Sequence, residues 1–166
     1  MDVRIGAIRR RRREKSSRKH TREGQVRALL QELCPGHSFE SVRPDWIKNP
    51  RTGKNLELDC YAPRLVTAEF PAGLAVEVQG IHHHKYCSWI HDSEADFEEY
   101  QWRDHCTREA CKKKGVRLIE TPNREHTPDR DLAGWLANKI GGHLKAHVDY
   151  LTCSAGPGTR ATRLRS

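Results

Sequence analysis

Two acidic residues lie inside short segments that otherwise have the pattern of apolar β-strands. Asp59 lies in NLELDCY (55–61), and Glu77 lies in LAVEVQG (74–80). Alternate side chains of a strand share a face, so both carboxylates can meet at one edge of a sheet if the strands are neighbours. Adjacent ionised carboxylates repel each other unless a cation compensates them. The pattern therefore predicts a hard divalent cation, Mg²⁺ or Mn²⁺, bound by these two side chains and by substrate phosphate.

A solvated sheet face is the alternative explanation for these acids, because antiparallel strands commonly expose one polar face. The histidine run after the second strand favours a site instead. His83 follows Gly80 by three residues, so a loop can bring it to the same place as a general acid, a general base or a group that orients water. This set predicts hydrolysis of a phosphodiester, with a cation that activates water and stabilises the developing charge.

A predicted helix from Ser93 to Lys114 adds a fourth candidate, Asp104. Its inward face carries residues at helical spacing: Phe97, Tyr100, Asp104 and Cys111. A carboxylate at a core-facing position needs a partner. That partner is either the candidate site or an ion pair with Arg103 or Arg108, and the i+4 spacing suits Arg108. The helix alone does not distinguish these two interpretations.

In this order, the residues resemble the motifs of the PD-(D/E)XK, or restriction-endonuclease-like, superfamily. The similarity is strongest to its very-short-patch-repair and EDxHD homing-endonuclease branch, extends to proteins of large DNA viruses, and covers about residues 21–122. The shared string runs from LELD-x-Y through E-x-x-G-x-x-H to an RD-containing helix and an LI strand. The resemblance implies a restriction-endonuclease-like α/β core. It also implies a Mg²⁺-dependent DNA endonuclease that nicks DNA or cuts both strands.

The resemblance also implies roles for individual residues. Asp59 and Glu77 match the metal-binding acids of the two motif strands. His83 matches the motif's histidine, and Asp104 matches its final aspartate. Glu23, near the start of the first helix, matches the leading glutamate more loosely, and favourable interaction with the helix N-terminus explains it equally well.

Gln79 is the main departure from the family pattern, because it stands where many members carry a lysine. The positive charge expected beside the attacking water is therefore missing. Loss of activity does not follow, since this branch uses histidine instead. The missing lysine nevertheless keeps a second interpretation open, a non-catalytic nucleic-acid-binding or virion DNA-packaging module on the same scaffold. A loop at 62–73 that is longer than usual in the family is the other departure.

Basic residues are concentrated at the two ends of the chain. Residues 1–22 carry ten Lys and Arg against two acidic residues, and residues 160–166 add three Arg. The net charge of the whole chain is +8, so the remainder has a net charge of −3. The predicted nucleic-acid contacts are Arg9, Arg10, Arg11, Arg12, Arg13, Lys15, Arg18 and Lys19. We expect DNA as the partner, attracted in a salt-dependent way; a nuclear-localisation-like or merely solubilising arm is the alternative.

The elements that must position these residues form one predicted domain, residues 21–151. A disordered basic arm (1–20) precedes it and a flexible basic tail (152–166) follows it. Helical spacing and turn signals predict the order α-β-β-β-α-β-α, which indicates a mixed sheet flanked by helices. Its first helix is capped by Thr21, and its last begins at Asp129 or Asp131. In the strand of Asp59, alternation predicts one shared face for Leu56, Leu58 and Cys60.

Six cysteines, none in a C-x-x-C pair, predict reduced thiols. The segment His84-x-x-Cys87-x-x-x-His91, with Cys60, Cys106 or Cys111 as a further ligand, is a candidate structural zinc site. Ordinary free thiols are the favoured interpretation. Trp89 and Trp102 are candidates for stacking on bases, although packing is the favoured explanation for Trp102. Packing also explains Trp46 and Trp135.

Hydropathy predicts neither a membrane span nor a secretory signal, because no apolar run approaches the ~20 residues that a span requires. We therefore expect an intracellular protein that acts without a membrane partner, in the nucleus or the virion among other places. Its expected state is a monomer or a homodimer.

Overall fold

The computed structural model describes residues 21–80, 83 and 85–154. The helices are α1 (Arg22–Leu33), α2 (Glu94–Lys114) and α3 (Asp129–Ser154), and the strands are β1 (Glu40–Val42), β2 (Leu58–Ala62), β3 (Leu74–Val78) and β4 (Arg117–Thr121). This order confirms the predicted succession of elements. The basic arm, with all of the predicted DNA contacts, and the chain after residue 154 lie outside the described residues. No helix in the described part carries an apolar stretch of membrane-spanning length.

The four strands form one mixed sheet in the order β1-β2-β3-β4. β2 pairs antiparallel with both β1 and β3, while β3 and β4 are parallel. A parallel pair needs a long crossover connection, which is provided here by α2. The predicted α/β class with a mixed sheet is thereby confirmed. β2 and β3, the strands of Asp59 and Glu77, are central neighbours.

Hydrophobic clusters cover both faces of the sheet. The first joins α1 and α3 to one face, and its members include Val26, Leu30, Cys60, Val76, Leu136 and Ile140. The second joins α2 to the other face, and its members include Ile47, Leu58, Ala75, Cys111 and Val116. Both faces are therefore covered by helices, so the acids of β2 and β3 do not lie on a fully solvated sheet face.

One predicted feature of β2 is wrong. Leu56 and Leu58 pack in the second cluster, whereas Cys60 packs in the first, so the three do not share a face. The cause is an irregularity in the pairing of β1 with β2, whose register shifts between Glu40 and Val42. A β-bulge of this kind interrupts the alternation of side chains. The strand also begins at Leu58 rather than at residue 55.

Both ends of α2 are fixed by local interactions that the sequence predicts. Ser93 is the N-cap, and its hydroxyl accepts a hydrogen bond of 3.2 Å from the backbone N–H of Asp96. Gly115 ends the helix with φ +79°, a left-handed conformation that favours glycine. Thr21 caps α1 in the same way, at 3.1 Å from the N–H of Gly24. The position of Asp104 along α2 follows from these two ends.

The loop between β2 and β3 is tied to α3 by two histidines. His143 Nε2 lies 2.7 Å from the carbonyl oxygen of Leu65, and His147 Nδ1 lies 2.5 Å from that of Val66. Because a carbonyl only accepts, each ring nitrogen must donate an N–H. The long loop thus packs on α3 while β2 and β3 stay paired. α3 itself extends to Ser154, three residues into the predicted tail.

The pH dependence of stability is expected to follow His143. Burial lowers the pKa of His143, and the charges of Arg117 and His147 act in the same direction. The folded state therefore binds fewer protons than the unfolded state, so this contribution to stability is complete above the ordinary pKa of 6.5 and is lost as the pH falls. Urea titrations from about pH 7.5 to about pH 5 should show a decline of at most ~1.4 kcal/mol per pH unit from this group.

The matched variants for this test are His143→Gln and the exposed His105→Gln. His143→Gln should be less stable at neutral pH and should show a shallower decline in acid. His105→Gln should decline as the wild type does. Equal acid sensitivity in all three proteins would assign the pH dependence to other groups.

Candidate active site

An open cleft of about 430 Å³ lies where β2, β3 and β4 meet the middle of α2 and the start of α1. All six site residues predicted from the sequence line it: Glu23, Asp59, Glu77, Gln79, His83 and Asp104. They come from two helices, two strands and the segment after β3. The structure therefore brings the whole predicted set together, although the set is spread over more than 80 positions of the chain.

Asp59 and Glu77 face each other at the end of the β2–β3 ladder. The register pairs Cys60 with Val76, which puts the two acids at the next position. The backbone N–H of Val78 donates to Asp59 Oδ2 at 2.9 Å. The N–H of Asp59 donates to Glu77 Oε1 at 3.4 Å. Each carboxylate is therefore oriented by a backbone group of the opposite strand.

Burial and mutual repulsion raise the proton affinity of this pair. Burial raises the pKa of Glu77 to about 9, and the charge of Asp59 adds to the shift. Burial also raises the pKa of Asp59, against the hydrogen bond from Val78, and the charge of Glu23 contributes. At neutral pH the pair therefore retains a proton unless a cation replaces it.

These two carboxylates suit a hard divalent cation, because they are adjacent, they offer oxygen atoms as ligands and their negative charge needs a compensating cation. Within residues 21–80, 83 and 85–154, no group of three or more His, Cys, Asp or Glu side chains is placed to hold an ion. Asp59 and Glu77 would thus be the only side-chain ligands from this part, with water and substrate supplying the others. Mg²⁺ is commonly bound in that way.

Glu23 and Arg27 connect α1 to this pair. Arg27 Nη2 donates to Glu23 Oε1 at 2.5 Å and to the carbonyl oxygen of Asp59 at 2.8 Å. The guanidinium therefore holds the first turn of α1 against β2 at the cleft. Arg27 is not among the residues predicted for the site, although its i+4 spacing from Glu23 was an available signal.

His83 and Asp104 form a second pair in the cleft. His83 Nδ1 lies 2.8 Å from Asp104 Oδ2, with the side chains 17% and 21% exposed. A carboxylate only accepts, so Nδ1 carries the hydrogen, and a neutral ring then presents Nε2 as the acceptor. The alternative ion pair with Arg108 is not formed, because Arg108 Nη1 binds Glu120 Oε1 at 2.8 Å.

Gln79 is buried at the end of β3, where it is bound to β4. Its backbone N–H donates to Thr121 Oγ1 at 3.2 Å, and its side-chain amide donates to Glu120 Oε1 at 3.1 Å. The side chain lines the cleft but carries no charge. Gln79 therefore joins β3 to β4 at the position where the family pattern has a lysine.

The predicted zinc ligands are only partly described. His84 lies outside the described residues. The N–H of Cys87 donates to His91 Nδ1 at 3.0 Å, so this histidine nitrogen has a backbone partner. Cys60 and Cys111 belong to the clusters on opposite faces of the sheet, so they do not meet. All six cysteines are free thiols.

Two of the four tryptophans have the predicted packing role. Trp46 and Trp135 are partly buried against the second and first clusters, which confirms their packing role. Trp89 is 77% exposed. Trp102 is 37% exposed, and the Arg51 guanidinium lies over its ring at 5.3 Å. Stacking on bases stays a prediction for Trp89 and Trp102.

Comparison with known proteins gives viral relatives. Uncharacterized protein 307L of Invertebrate iridescent virus 6 is 37% identical over 107 residues, which are 61% of this chain and 49% of that protein. Uncharacterized protein 094L of Frog virus 3 (isolate Goorha) is 39% identical over 102 residues, 61% of this chain and 59% of that protein. Uncharacterized protein 033L of Invertebrate iridescent virus 3 is 37% identical over 84 residues, which are 51% of this chain and 40% of that protein.

The chain thus spans about half the length of these relatives. No family model and no solved structure matches it.

Proposed function

We propose that this protein is a metal-dependent DNA endonuclease with a restriction-endonuclease-like core. The observation that carries the proposal is the pair of Asp59 and Glu77, two opposed carboxylates with raised pKa in an open cleft. Such a pair is costly without a cation, and perturbed acids in a cleft are typical of functional sites. The order of elements and the central position of β2 and β3 agree with the core that the family resemblance implies.

Each residue of the cleft has a role in this proposal. Asp59 and Glu77 would hold Mg²⁺ or Mn²⁺, which when bound activates water and neutralises charge that develops on the phosphodiester. His83 takes a proton from the attacking water at Nε2. Asp104 orients the His83 ring through Nδ1. Glu23 lies with Arg27 at the edge of the pair and adds negative charge to it.

DNA is the proposed substrate because the chain combines an acidic cleft with basic ends. Residues 1–22 and 160–166 carry a net charge of +11 against −3 in the remainder, and these ends would attract a polyanion without reading its sequence. A cleft lined by carboxylates repels phosphate unless cations are present, so binding there would depend on the metal. We therefore expect salt-dependent attraction of DNA and metal-dependent cleavage.

A plasmid assay tests the proposal. Supercoiled plasmid is incubated with the full chain and Mg²⁺ or Mn²⁺, beside an EDTA control. Wild type should give nicked or linear product only with a metal. The double variant Asp59→Ala/Glu77→Ala should give none, while Glu109→Gln, an exposed acid on α2, should cleave as wild type. Absence of product from folded wild type with both metals would contradict the proposal.

A non-catalytic DNA-binding module is the second candidate. It is favoured by Gln79, whose amide is bound to Glu120 and supplies no positive charge beside the carboxylate pair. This candidate predicts salt-sensitive DNA binding that Asp59→Ala leaves unchanged, with no cleavage under any metal. A filter-binding measurement beside the plasmid assay distinguishes the two functions.

A further inference from the structure

Negative charge dominates the cleft. Its acidic lining residues are Glu23, Glu57, Asp59, Glu77, Asp104 and Glu120. Two arginines, Arg43 and Arg103, also line it. A phosphodiester that enters this cleft brings further negative charge, so a bound backbone phosphate needs a side-chain cation in addition to any metal.

Most basic side chains around the cleft are already paired with carboxylates. Arg43 forms an ion pair with Glu57, and Arg108 forms one with Glu120. Arg27, behind the carboxylate pair, is bound to Glu23. None of these three guanidinium groups is available to a phosphate without breaking an existing ion pair.

Arg103 differs from the other three arginines. Its guanidinium carbon lies 4.1 Å from the centre of the Tyr100 ring. Among the described residues, no carboxylate oxygen lies within 4 Å of its nitrogens. The nearby Glu99, whose pKa the charge of Arg103 helps to lower, forms its ion pair with Arg51. Its Nε is buried and has no hydrogen-bond acceptor within the described part of the chain. A buried N–H donor without an acceptor costs free energy.

Stacking on Tyr100 holds the guanidinium without using its N–H groups. A cation over an aromatic face is attracted through the ring, so the donors on the edge of the planar group stay available. That edge matches two oxygens of a phosphate, and such paired hydrogen bonds are strong. The same helical turn carries Asp104, the partner of His83. Arg103 is therefore a stacked cation in the cleft that holds the proposed catalytic side chains.

We propose that Arg103 binds a backbone phosphate of the nucleic acid in the cleft and supplies the positive charge that Gln79 does not. The inference rests on the proposed function for the class of substrate. It adds a contact that neither the family resemblance nor the sequence spacing assigned, because the sequence suggests for Arg103 only an ion pair with Asp104.

DNA binding measured without cleavage tests this contact. The probe is a duplex of about 20 base pairs, with Ca²⁺ in place of Mg²⁺, titrated against the full chain at several salt concentrations. Arg103→Gln removes the charge but keeps a long polar side chain. It should weaken binding about tenfold and reduce the slope of log affinity against log salt by about one. Arg103→Lys should keep the slope and lose part of the affinity.

The matched control is Arg130→Ala, which removes one positive charge from an exposed position of α3, with a side chain 83% exposed. It should keep the affinity within about twofold of wild type and leave the slope unchanged. Thermal unfolding of each variant separates a lost contact from a lost fold. Folded Arg103→Gln with wild-type affinity and slope would overturn the inference.

The plasmid assay, run with the same proteins, separates this inference from the proposed function. If Arg103→Gln reduces the slope of log affinity against log salt but wild type does not cleave, the phosphate contact is kept and the nuclease is rejected. Cleavage by wild type, with unchanged binding and cleavage by Arg103→Gln, would keep the nuclease and reject the contact.

Discussion

Replacing Glu77 by Gln is expected to abolish metal-dependent cleavage while stabilising the metal-free protein. Cleavage should fall by roughly 10³-fold or more, because one of two metal-binding carboxylates is lost. The stabilisation has a separate cause. Gln has nearly the same shape as Glu but carries no ionisable group, so its burial beside Asp59 requires neither a buried charge nor the uptake of a proton.

The sign of the stability effect follows from the pKa of Glu77. Burial raises that pKa from an ordinary 4.5 to about 9 in the folded chain. The folded state then binds more protons than the unfolded state between these values, so the free energy of unfolding falls as the pH rises through this range. At pH 7, which is 2.5 units above the ordinary pKa and below the raised one, the penalty is about 3 kcal/mol. Glu77→Gln should be more stable by about this amount in EDTA at pH 7 and by little at about pH 4.5.

Urea titrations at these two pH values, with Glu109→Gln as the control, measure the difference. Mg²⁺ or Mn²⁺ should raise the melting temperature of wild type and have a much smaller effect on Glu77→Gln, because the cation binds only the folded state. A variant that cleaves as wild type would remove Glu77 from the metal site. A variant that is less stable than wild type at pH 7 would show that the carboxylate is stabilised in some other way.

Replacing His83 by Ala is expected to lower the rate of cleavage by about 10² to 10⁴-fold, the usual contribution of a general acid or base. DNA binding in Ca²⁺ should change little, because the role of His83 is proton transfer. Asp104→Asn should have a smaller effect, since the His83 ring remains and only its orientation through Nδ1 is weakened. Single-turnover cleavage over a range of pH measures both variants.

His105→Ala is the control for this series, because His105 is an exposed histidine next to Asp104 on α2. It should cleave within about twofold of wild type. Binding and stability distinguish a chemical role from a structural one. His83→Ala should lose cleavage rate while its affinity for DNA in Ca²⁺ and its thermal unfolding stay close to those of wild type, whereas a structural role would change all three. Full activity of His83→Ala would assign proton transfer to another group or to water.

Local signals account for the parts of the fold that the sequence predicts. Ser93 and Gly115 mark the ends of α2 because their side chain and backbone conformation are required there. Asp59 and Glu77 interrupt apolar strands, and that local signal marks both as site candidates. Their meeting follows when β2 and β3 pair with Cys60 opposite Val76.

Long-range packing accounts for what the sequence does not reveal. The register shift between β1 and β2 leaves a regular alternation in the sequence, so the separation of Leu58 from Cys60 has no local sign. Arg27 reaches Asp59 only because α1 packs beside β2. Arg103 lies on Tyr100 rather than on Asp104, a choice that depends on which carboxylates and rings surround α2 in the folded chain.

The hydrogen bond from the Val78 amide to Asp59 Oδ2 makes that amide a spectroscopic reporter of the site. Its N–H group points at the carboxylate whose charge changes when a proton or a metal binds. Its resonance frequency and its rate of hydrogen exchange with solvent should therefore follow occupancy of the cleft. A single backbone ¹⁵N–¹H signal thus registers ligand binding without a label on the ligand and without turnover.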